Sequence, residues 1–210
     1  SGVHDYVAGE MRNYCKSTRA HNTVEIEGRD QNEYWDVFRV ASLGLAREVR
    51  FETTATGFRF SGWHDGYRRL PGRPRHDRQM IWNSQGLLMV RDRVTAAQSV
   101  QTVTRLHLHP ECKIRTVDES NAVVELGKIA VRIVFAGPGR LRVEPSFYCP
   151  EFGKKMDNQA LAYACDGSKL NLAFAITRLP GDMALDIDAG ATIGGTRYAW
   201  QAISGTAPSQ

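Results

Sequence analysis

The sequence lacks three features that would place it in a familiar class: a long apolar run, closely spaced cysteines and a visible secretion signal. Its 210 residues contain no stretch of about 18 apolar residues, so no membrane span is expected. The first residues resemble the interior of a longer protein, and we expect the chain to begin at a cut or processed end. The location of the parent protein stays open, with the periplasm or secretion favoured.

The cysteines are few and widely spaced. None of them forms a C-x-x-C pair, which argues against a zinc knuckle or a thioredoxin-like site. The sequence leaves free thiols and one or two disulfides as alternatives. The residues are Cys15, Cys112, Cys149 and Cys165.

Lysine is also scarce, and arginine supplies most of the basic charge. Twenty-one of the 27 basic residues are arginines, and the net charge is +4. The planar guanidinium fork matches carboxylates and sulfates, which favours an anionic polysaccharide as partner. A GC-rich genome would produce the same bias and is at least as good an explanation. No nucleic-acid-binding motif accompanies the charge, so nucleic acid is not expected as a partner.

Short segments of alternating apolar and polar residues fill the chain, and no long 3.6-residue apolar period interrupts them. Turn signals separate them at residues 127–128, 137–139 and 166–168. This pattern predicts an all-β fold, an antiparallel multi-stranded β-sandwich over residues 1–203, with a flexible polar tail at 204–210. The predicted strands are residues 24–27, 46–52, 57–63, 78–82, 87–94, 100–109, 122–126, 129–135, 140–144, 170–177 and 197–201.

Residues 68–78 form the most strongly basic segment. They include five arginines, two prolines and a glycine, a composition that predicts an exposed loop. Such a loop is suited to gripping an acidic chain. A solvated loop without a special role is the favoured alternative.

Residues 12–31, RNYCKSTRAHNTVEIEGRDQ, contain the most informative pattern. It has the form R-x-Y-x-x-S-T-x-A-H-N-T-V, a short strand and G-x-D-Q, and it resembles the heparinase II/III-like family. Further segments resemble that family in the same order and extend the resemblance over about residues 1–180. They are H-D-G-Y at 64–67, H-x-R at 76–78, D-x-V within 90–94, H-L-H-P at 107–110 and Y-x-P-x-F-G at 148–153.

The resemblance implies a C-terminal β-sandwich that accompanies an N-terminal α/α toroid. Family members cleave uronic-acid polysaccharides such as heparan sulfate, alginate or capsular polymers by β-elimination. That reaction needs neutralisation of the uronate carboxylate and a Tyr or His as base and acid. Most of these groups lie on the toroid in the family. The resemblance therefore implies a polysaccharide lyase that is inactive as this isolated domain, and no catalytic residue is assigned.

The resemblance also implies a metal ligand, His21, in the H-N-T motif. Zinc, or another divalent metal, would need two further ligands, which the family draws from earlier strands. We expect one of them, an aspartate, just upstream of Ser1, so that the site in this chain is incomplete. Asn22 and Thr23 are expected to hold the His21 loop through side-chain-to-backbone bonds. The alternative for His21 is an ordinary hydrogen-bonded residue at the start of a strand.

Four residues are candidates for substrate binding. Tyr6 and Arg12 precede the motif and are expected near the domain interface, where Arg12 would meet a uronate or form a structural ion pair. His64 and Tyr67 lie in a glycine-containing turn, where packing against the toroid is an equal alternative. A second metal site at the H-x-H pair of residues 107–109 is disfavoured.

A non-catalytic role, in which the sandwich only binds carbohydrate or stabilises a partner domain, remains as an alternative function. Tryptophan side chains suit stacking on sugar rings, but their strand-like contexts favour core packing instead. They are Trp35, Trp63, Trp82 and Trp200.

Overall fold

A computed structural model describes residues 2–200 of the chain. Within them a short helix, α1 (Glu10–Lys16), and one 3-10 turn (Thr18–Ala20) precede an almost entirely β structure. The strands are β1 (Val24–Ile26), β2 (Glu33–Tyr34), β3 (Val40–Ser42), β4 (Arg47–Thr54), β5 (Gly57–His64), β6 (Arg75–Asn83), β7 (Leu87–His107), β8 (Lys113–Val117), β9 (Asn121–Leu126), β10 (Ile129–Ala136), β11 (Arg140–Tyr148), β12 (Met156–Thr177), β13 (Met183–Asp186), β14 (Gly190–Ile193) and β15 (Thr196–Ala199).

Two long antiparallel strands, β7 and β12, connect the layers of the sandwich. They pair from Leu87 opposite Thr177 to His107 opposite Ala160, with a register shift between Gly167 and Lys169. A straight strand of 21 residues would reach about 70 Å, which is far longer than a domain of this size. Residues from both halves of each strand share one buried core, Val90 and Leu106 of β7 with Leu161 and Leu172 of β12. The pair must therefore bend, so that each strand contributes one half to each layer.

The larger layer has the strand order β4-β5-β6-β7-β12-β10-β9-β8. The smaller layer consists of the second half of β7, the first half of β12, and strands β1 and β11, which pair with β7 and β12 respectively. Apolar side chains from both layers meet in the main core. Its buried members are Val90, Leu106, Leu108, Ala122, Val124, Ile133, Phe135, Leu141, Leu161, Tyr163, Leu172 and Phe174.

A three-stranded sheet of β13, β14 and β15 covers one end of the outer face of the larger layer. Ala191 and Ile193 of this sheet pack on Leu87, Met89 and Ala175 in a separate buried cluster. The rest of that outer face is rich in charged side chains, including Arg75, Arg91 and Arg93.

The predicted all-β antiparallel sandwich is confirmed, and most predicted strands are present. The turn at Gly127-Lys128 is present as a two-residue hairpin, with Gly127 at a φ of 60°. The turn predicted at 166–168 is wrong, because these residues form an irregularity inside β12. Helix α1 and strands β2, β3, β8, β13 and β14 were absent from the prediction. The tail at 204–210 and the end of the last predicted strand lie outside the described residues.

The loop predicted at residues 68–78 is shorter than expected, because β6 begins at Arg75. The expectation that the tryptophans pack in the core is wrong for three of them, and Trp200 alone packs, half-buried, against a buried cluster. Trp63 is half-buried beneath arginine side chains. Trp35 is 71% exposed and Trp82 is 41% exposed, and Trp82 stacks on Phe58 instead, with ring centroids 5.8 Å apart. No helix among residues 2–200 is long and apolar enough to cross a membrane.

Leu161 tests the shared core, because its side chain is completely buried where the two layers meet. We expect Leu161→Ala to lower the free energy of unfolding by about 2–5 kcal/mol, since it removes apolar contacts and leaves a cavity. Urea unfolding followed by tryptophan fluorescence measures this change. Leu126→Ala, at a leucine that is 42% exposed, is the control and should cost less than about 1 kcal/mol. Equal effects of the two substitutions would contradict this description of the core.

Candidate functional site: the His21 loop

The H-N-T motif lies between the 3-10 turn and β1, on a segment that we call the His21 loop (residues 18–24). Helix α1 leads into the 3-10 turn, which is closed by the Ala20 amide donating to the Ser17 carbonyl at 3.1 Å. Strand β1 then pairs with β7, with Val24 opposite Thr104. The loop is therefore held between a short helix and the smaller layer of the sandwich.

His21 is exposed, and its ring orientation is fixed. The Nδ1 atom lies 2.8 Å from the Ser17 carbonyl oxygen, which can only accept a hydrogen bond. Nδ1 must therefore carry the proton, and a neutral ring leaves the Nε2 lone pair available. A small cleft of about 170 Å³ adjoins the ring and is lined by Lys16, Gln31 and Tyr34, among others. This geometry suits a metal ligand, a proton acceptor or a substrate contact.

The G-x-D-Q segment supports the 3-10 turn that precedes His21. An Asp30 carboxylate oxygen accepts a hydrogen bond from the Thr18 amide at 2.6 Å. The Thr18 hydroxyl in turn accepts from the Gln31 amide at 2.8 Å. Thr18 is buried, so these bonds satisfy polar groups that water does not reach.

Asn22 connects the loop to two strands. Its side-chain oxygen accepts from the His107 amide at the end of β7 at 2.8 Å. Its main-chain carbonyl accepts from the Arg78 guanidinium of β6 at 2.7 Å. Thr23 contributes through its main chain, since its carbonyl accepts from the Arg105 amide at 3.2 Å. Asn22 thus makes a bond of the expected side-chain-to-backbone kind, and a metal-supporting role for Asn22 and Thr23 stays a prediction.

Arg78 is held by a buried carboxylate, Asp92 of β7, which is 1% exposed. Its Nε and terminal nitrogen donate to the two Asp92 oxygens at 2.7 and 2.9 Å. His76 Nε2 donates to the same carboxylate at 2.7 Å. Burial alone would raise the pKa of Asp92, but the charge of Arg78 and the hydrogen bonds from Arg78 and His76 outweigh it and hold this pKa well below its usual range.

The hydrogen bonds also define the tautomers of two histidines. The Gly66 amide donates to His64 Nδ1 at 3.2 Å, so the proton of His64 lies on Nε2. His64 Nε2 then donates to His76 Nδ1 at 3.0 Å, and His76 donates onward to Asp92. We call these four residues, His64, His76, Arg78 and Asp92, the Asp92 network. Burial lowers the pKa of His64 to about 4, in keeping with its neutral state.

The turn that contains Tyr67 packs against residues 24–31 of the same polypeptide. Tyr67 is fully buried, and its hydroxyl donates to the Val24 carbonyl at 2.7 Å. A side chain at Gly66 would place its Cβ 2.5 Å from the Gln31 carbonyl oxygen, so only glycine permits this approach. Arg69 donates to the carbonyls of Gly66 and Asp30 from the same side. The H-D-G-Y turn and the G-x-D-Q segment therefore pack directly on each other.

His107 lies behind the loop in a second polar chain. Its Nε2 donates to the Arg19 carbonyl at 3.0 Å, so a neutral ring accepts at Nδ1 from the Ser146 hydroxyl at 2.8 Å. The Tyr14 hydroxyl lies 2.7 Å from the Ser146 oxygen and accepts from the Phe147 amide at 3.2 Å. Burial lowers the pKa of His107 to about 4. This series of hydrogen bonds joins α1 to β7 and β11 underneath the His21 loop.

Arg12 and Tyr6 form part of an exposed aromatic cluster. The Arg12 guanidinium lies 5.2 Å from the centre of the Tyr6 ring and 5.3 Å from that of Phe38. Arg12 also donates to the Val37 carbonyl at 3.0 Å. Tyr6 contacts Phe152 as well, with ring centroids 5.5 Å apart. Among residues 2–200 Arg12 has no carboxylate partner, so the alternative of a structural ion pair is not seen there.

The cysteines form one close pair. Cys15 of α1 and Cys149 after β11 are both buried thiols, with their sulfur atoms 3.8 Å apart. Burial raises the pKa of the Cys149 thiol to about 11, which keeps it protonated at neutral pH. Cys112 and Cys165 are half-buried free thiols.

The residues present do not form a complete metal site. Within residues 2–200 no group of three or more His, Cys, Asp or Glu side chains is placed to hold a metal ion. The cleft beside His21 offers Lys16, Thr18, Gln31 and Tyr34 rather than a second imidazole, thiolate or carboxylate. A closed zinc site needs about four ligands. In the cleft, the described residues supply one of them, His21.

The family model described as "Heparinase II/III-like, C-terminal" matches residues 1–200. The chain belongs to this family. Most of the heparinase II/III-like motifs converge in space around the His21 loop, through Tyr67, Arg78 and His107. The Y-x-P-x-F-G segment lies at the aromatic cluster instead, through Phe152. No curated protein matches the chain.

Solved structures of similar fold are about three times as long as this chain. The heparan sulfate lyase HepC from Pedobacter heparinus superposes with a TM-score of 0.75 at 14% identity, over 95% of this chain and 33% of that chain. A heparinase III gene product gives 0.73 at 11% identity over the same fractions. Another heparinase III gives 0.69 at 12% identity, over 94% of this chain and 32% of that chain. At these identities the likeness concerns the fold.

The structure separates the predicted site residues of this heparinase II/III-like domain into three groups. His21, Asn22 and Thr23 form the exposed loop, Tyr6 and Arg12 lie in the aromatic cluster, and His64 and Tyr67 lie beneath the loop. The substrate-binding role of His64 and Tyr67 stays a prediction, although the Tyr67 side chain has no exposed surface. Arg78 and Asp92 were missed as site residues. Their motif segments were recognised, but no sequence signal paired them.

The two neutral histidines with lowered pKa values, His64 and His107, should make folding stability depend on pH. Unfolded histidine takes up a proton near pH 6.5, whereas folded His64 and His107 do so only near pH 4. The unfolded state therefore binds more protons between these values, and stability must fall as the pH falls from about 6.5 to 4. After allowance for partial exposure we expect each histidine to contribute about 1–2 kcal/mol.

Urea unfolding between pH 4.5 and 7.5 measures this dependence. His64→Gln should remove about half of the slope, and the His64→Gln/His107→Gln double variant should remove most of it. Asp92 keeps its charge across this range, so it does not obscure the comparison. A slope that both variants share with the wild type would contradict the burial of neutral histidines.

Proposed function

We propose that this domain is part of a polysaccharide lyase that cleaves uronic-acid-containing polysaccharides by β-elimination. The observation that supports the proposal is the fixed orientation of His21, an exposed residue whose Nδ1 atom is bonded to the Ser17 carbonyl and whose Nε2 atom is left free. β-Elimination transfers a proton from the carbon beside the carboxylate, and it requires groups that handle protons and negative charge at fixed positions. The hydrogen bond at Nδ1 orients the His21 ring, so its Nε2 atom is suited to accept a proton or to contact a negatively charged group.

The catalytic base and the group that neutralises the carboxylate belong, in this proposal, to an N-terminal α/α toroid domain. The chain spans only about a third of the solved proteins of similar fold, whose length leaves room for such a domain. The exposed aromatic cluster supports a contact there. Tyr6, Phe38 and Phe152 are 54, 70 and 67% exposed although the Tyr6 ring contacts both of the other rings. Exposed apolar patches of this kind mark interaction surfaces.

A metal ion at His21 remains part of the proposal as an open element. Zinc bound there would supply a positive charge near the reacting carboxylate. The described residues offer one ligand only, so we assign no step of the reaction to the metal. His21 has a stated role without it, as a polar group that is oriented toward the substrate.

The lyase proposal is tested by product absorbance. β-Elimination leaves an unsaturated uronate that absorbs in the ultraviolet, so the complete protein that contains this domain is incubated with heparan sulfate, alginate and related polymers. We expect new absorbance on at least one of them. Binding without new absorbance on any polymer would instead support the alternative of a non-catalytic carbohydrate-binding or structural domain.

His21→Ala in the complete protein tests the role of the loop histidine. We expect the rate of cleavage to fall about 100-fold or more, because a proton-handling or charge-stabilising group is lost from a fixed position. Metal content, measured by mass spectrometry of the purified protein, falls in parallel if His21 is a ligand. His109→Ala is the matched control, because His109 is also exposed and lies near the end of β7. Wild-type activity and metal content in His21→Ala would exclude both roles.

A further inference from the structure

An arginine-lined groove lies on the outer face of the larger layer, and we call it the β7 groove. It has a volume of about 470 Å³, within the usual range of ligand sites. Its lining includes Arg50 of β4, Trp63 of β5, Arg75 of β6, Arg91 and Arg93 of β7, and Asn171 of β12.

The β7 groove and the Asp92 side chain lie on opposite faces of the same strands, and Arg78 of the Asp92 network also contributes to the groove lining. Side chains alternate between faces along a strand. Asp92 therefore points into the sandwich, where it is 1% exposed, whereas Arg91 and Arg93 point outward. The strand pairing places Arg91 opposite Gln79 and Arg93 opposite Asp77, so neighbouring outward residues of β6 complete the floor.

Arg91 and Arg93 are oriented by neutral acceptors and not by carboxylates. Arg91 donates to the Ile187 carbonyl at 3.1 Å and to the Gln79 side-chain oxygen at 2.7 Å. Arg93 donates through Nε to the Asn171 side-chain oxygen at 3.3 Å. Among residues 2–200 neither guanidinium forms a salt bridge. Each guanidinium has five N–H donors, so both retain donors and full positive charge for a ligand.

Two like charges held side by side are unfavourable in the absence of an anion. Burial, followed by repulsion from Arg93, lowers the pKa of the Arg91 guanidinium, and the attraction of Asp188 offsets only part of this effect. The lining carboxylates do not cancel this charge. Asp77 is engaged by Arg75, with contacts of 2.6 and 3.0 Å, and Glu48 is the other acidic residue of the lining. The groove therefore has an excess of positive charge at Arg91 and Arg93, and Arg50 of β4 lies in the same lining.

The groove is not arranged for stacking of neutral sugar rings. The Arg75 guanidinium lies 3.9 Å from the centre of the Trp63 ring and covers it, and Arg47 lies 5.6 Å from the same ring. Trp63 thus holds an arginine in place and does not present an open aromatic face. Recognition here must rely on acidic groups, which guanidinium forks bind with paired hydrogen bonds.

We propose that the β7 groove binds a segment of an anionic polysaccharide through its carboxylate or sulfate groups, with Arg91 and Arg93 as the principal contacts. The identity of the polymer rests on the proposed lyase function. The groove adds a second attachment point besides the His21 loop, on the face of the sheet opposite to the Asp92 side chain. A domain that holds the polymer in two places retains a long chain better than a short one.

The test compares binding of long heparan sulfate chains to the complete protein in the His21→Ala background, which limits cleavage during the measurement. Isothermal titration at fixed salt gives Kd. We expect Arg91→Gln/Arg93→Gln to weaken binding about tenfold, through loss of two charged forks. The control Arg115→Gln/Arg140→Gln removes the same charge at exposed positions and should change Kd less than about twofold. The same titrations with desulfated heparan sulfate distinguish the two acid groups. If Arg91→Gln/Arg93→Gln still weakens binding to this polymer, the arginines bind carboxylates, and if the substitutions no longer change Kd, the arginines bind sulfates.

Several outcomes would overturn the groove assignment. One is an equal Kd for the groove variant and the control. Another is a lowered thermal unfolding temperature without weaker binding, which would make the groove a packing surface for another part of the protein. The two proposals fail separately. If the protein with His21 intact cleaves a polymer but Arg91→Gln/Arg93→Gln leaves Kd unchanged, the groove assignment is wrong and the lyase function stands. If the arginine substitutions weaken binding but the protein with His21 intact cleaves no polymer, the lyase function is wrong and the groove assignment stands.

Discussion

The carboxylate of Asp92 has almost no contact with water, and the geometry around it determines how the His21 loop is held. A buried charge is tolerated only when it is fully paired and hydrogen-bonded. Arg78 and His76 meet that requirement on β6, and His64 extends it to β5. The remaining terminal nitrogen of Arg78 donates to the Asn22 carbonyl. Asp92 therefore fixes the position of the His21 loop, because it holds the arginine that binds the loop. The H-D-G-Y, H-x-R and D-x-V segments meet at this carboxylate for the same reason.

A second buried ionic cluster has a similar effect on the strand that follows the loop. Arg105 of β7 is 5% exposed and donates to Glu25 of β1 at 2.5 Å and to Glu144 of β11 at 2.9 Å. Buried ion pairs add little net stability compared with well-packed apolar residues, but removal of one partner is costly. We infer that both clusters serve position more than stability. The main apolar core supplies the stability, and the ionic clusters select one arrangement of the strands around residues 18–26.

The sequence was sufficient for the fold class because its local signals agree with the fold. Gly127 marks a two-residue hairpin, and alternation in β10 reveals one buried face. The first half of β12 was missed because Ala160 to Tyr163 are all buried, so the period of two that identifies a strand is absent. Asp92 could not be identified as buried, since a charged residue in an alternating strand is ordinarily exposed. Its partner Arg78 is 14 residues away, and only the pairing of β6 with β7 brings them together. The motif alone located His21, and the local chain around Ser17 determined which of its nitrogens is free.

Hydrogen exchange of the His21 loop in an Asp92→Asn variant tests the central claim most directly. The substitution keeps the size of the side chain but removes the charge that holds Arg78. Our account predicts that the His107 amide, which donates to Asn22, and the amides of residues 20–24 exchange at least about tenfold faster, while those of β9 and β10 are unchanged. Unchanged protection of the loop, or uniform loss of protection across the whole domain, would contradict the claim that Asp92 positions the His21 loop.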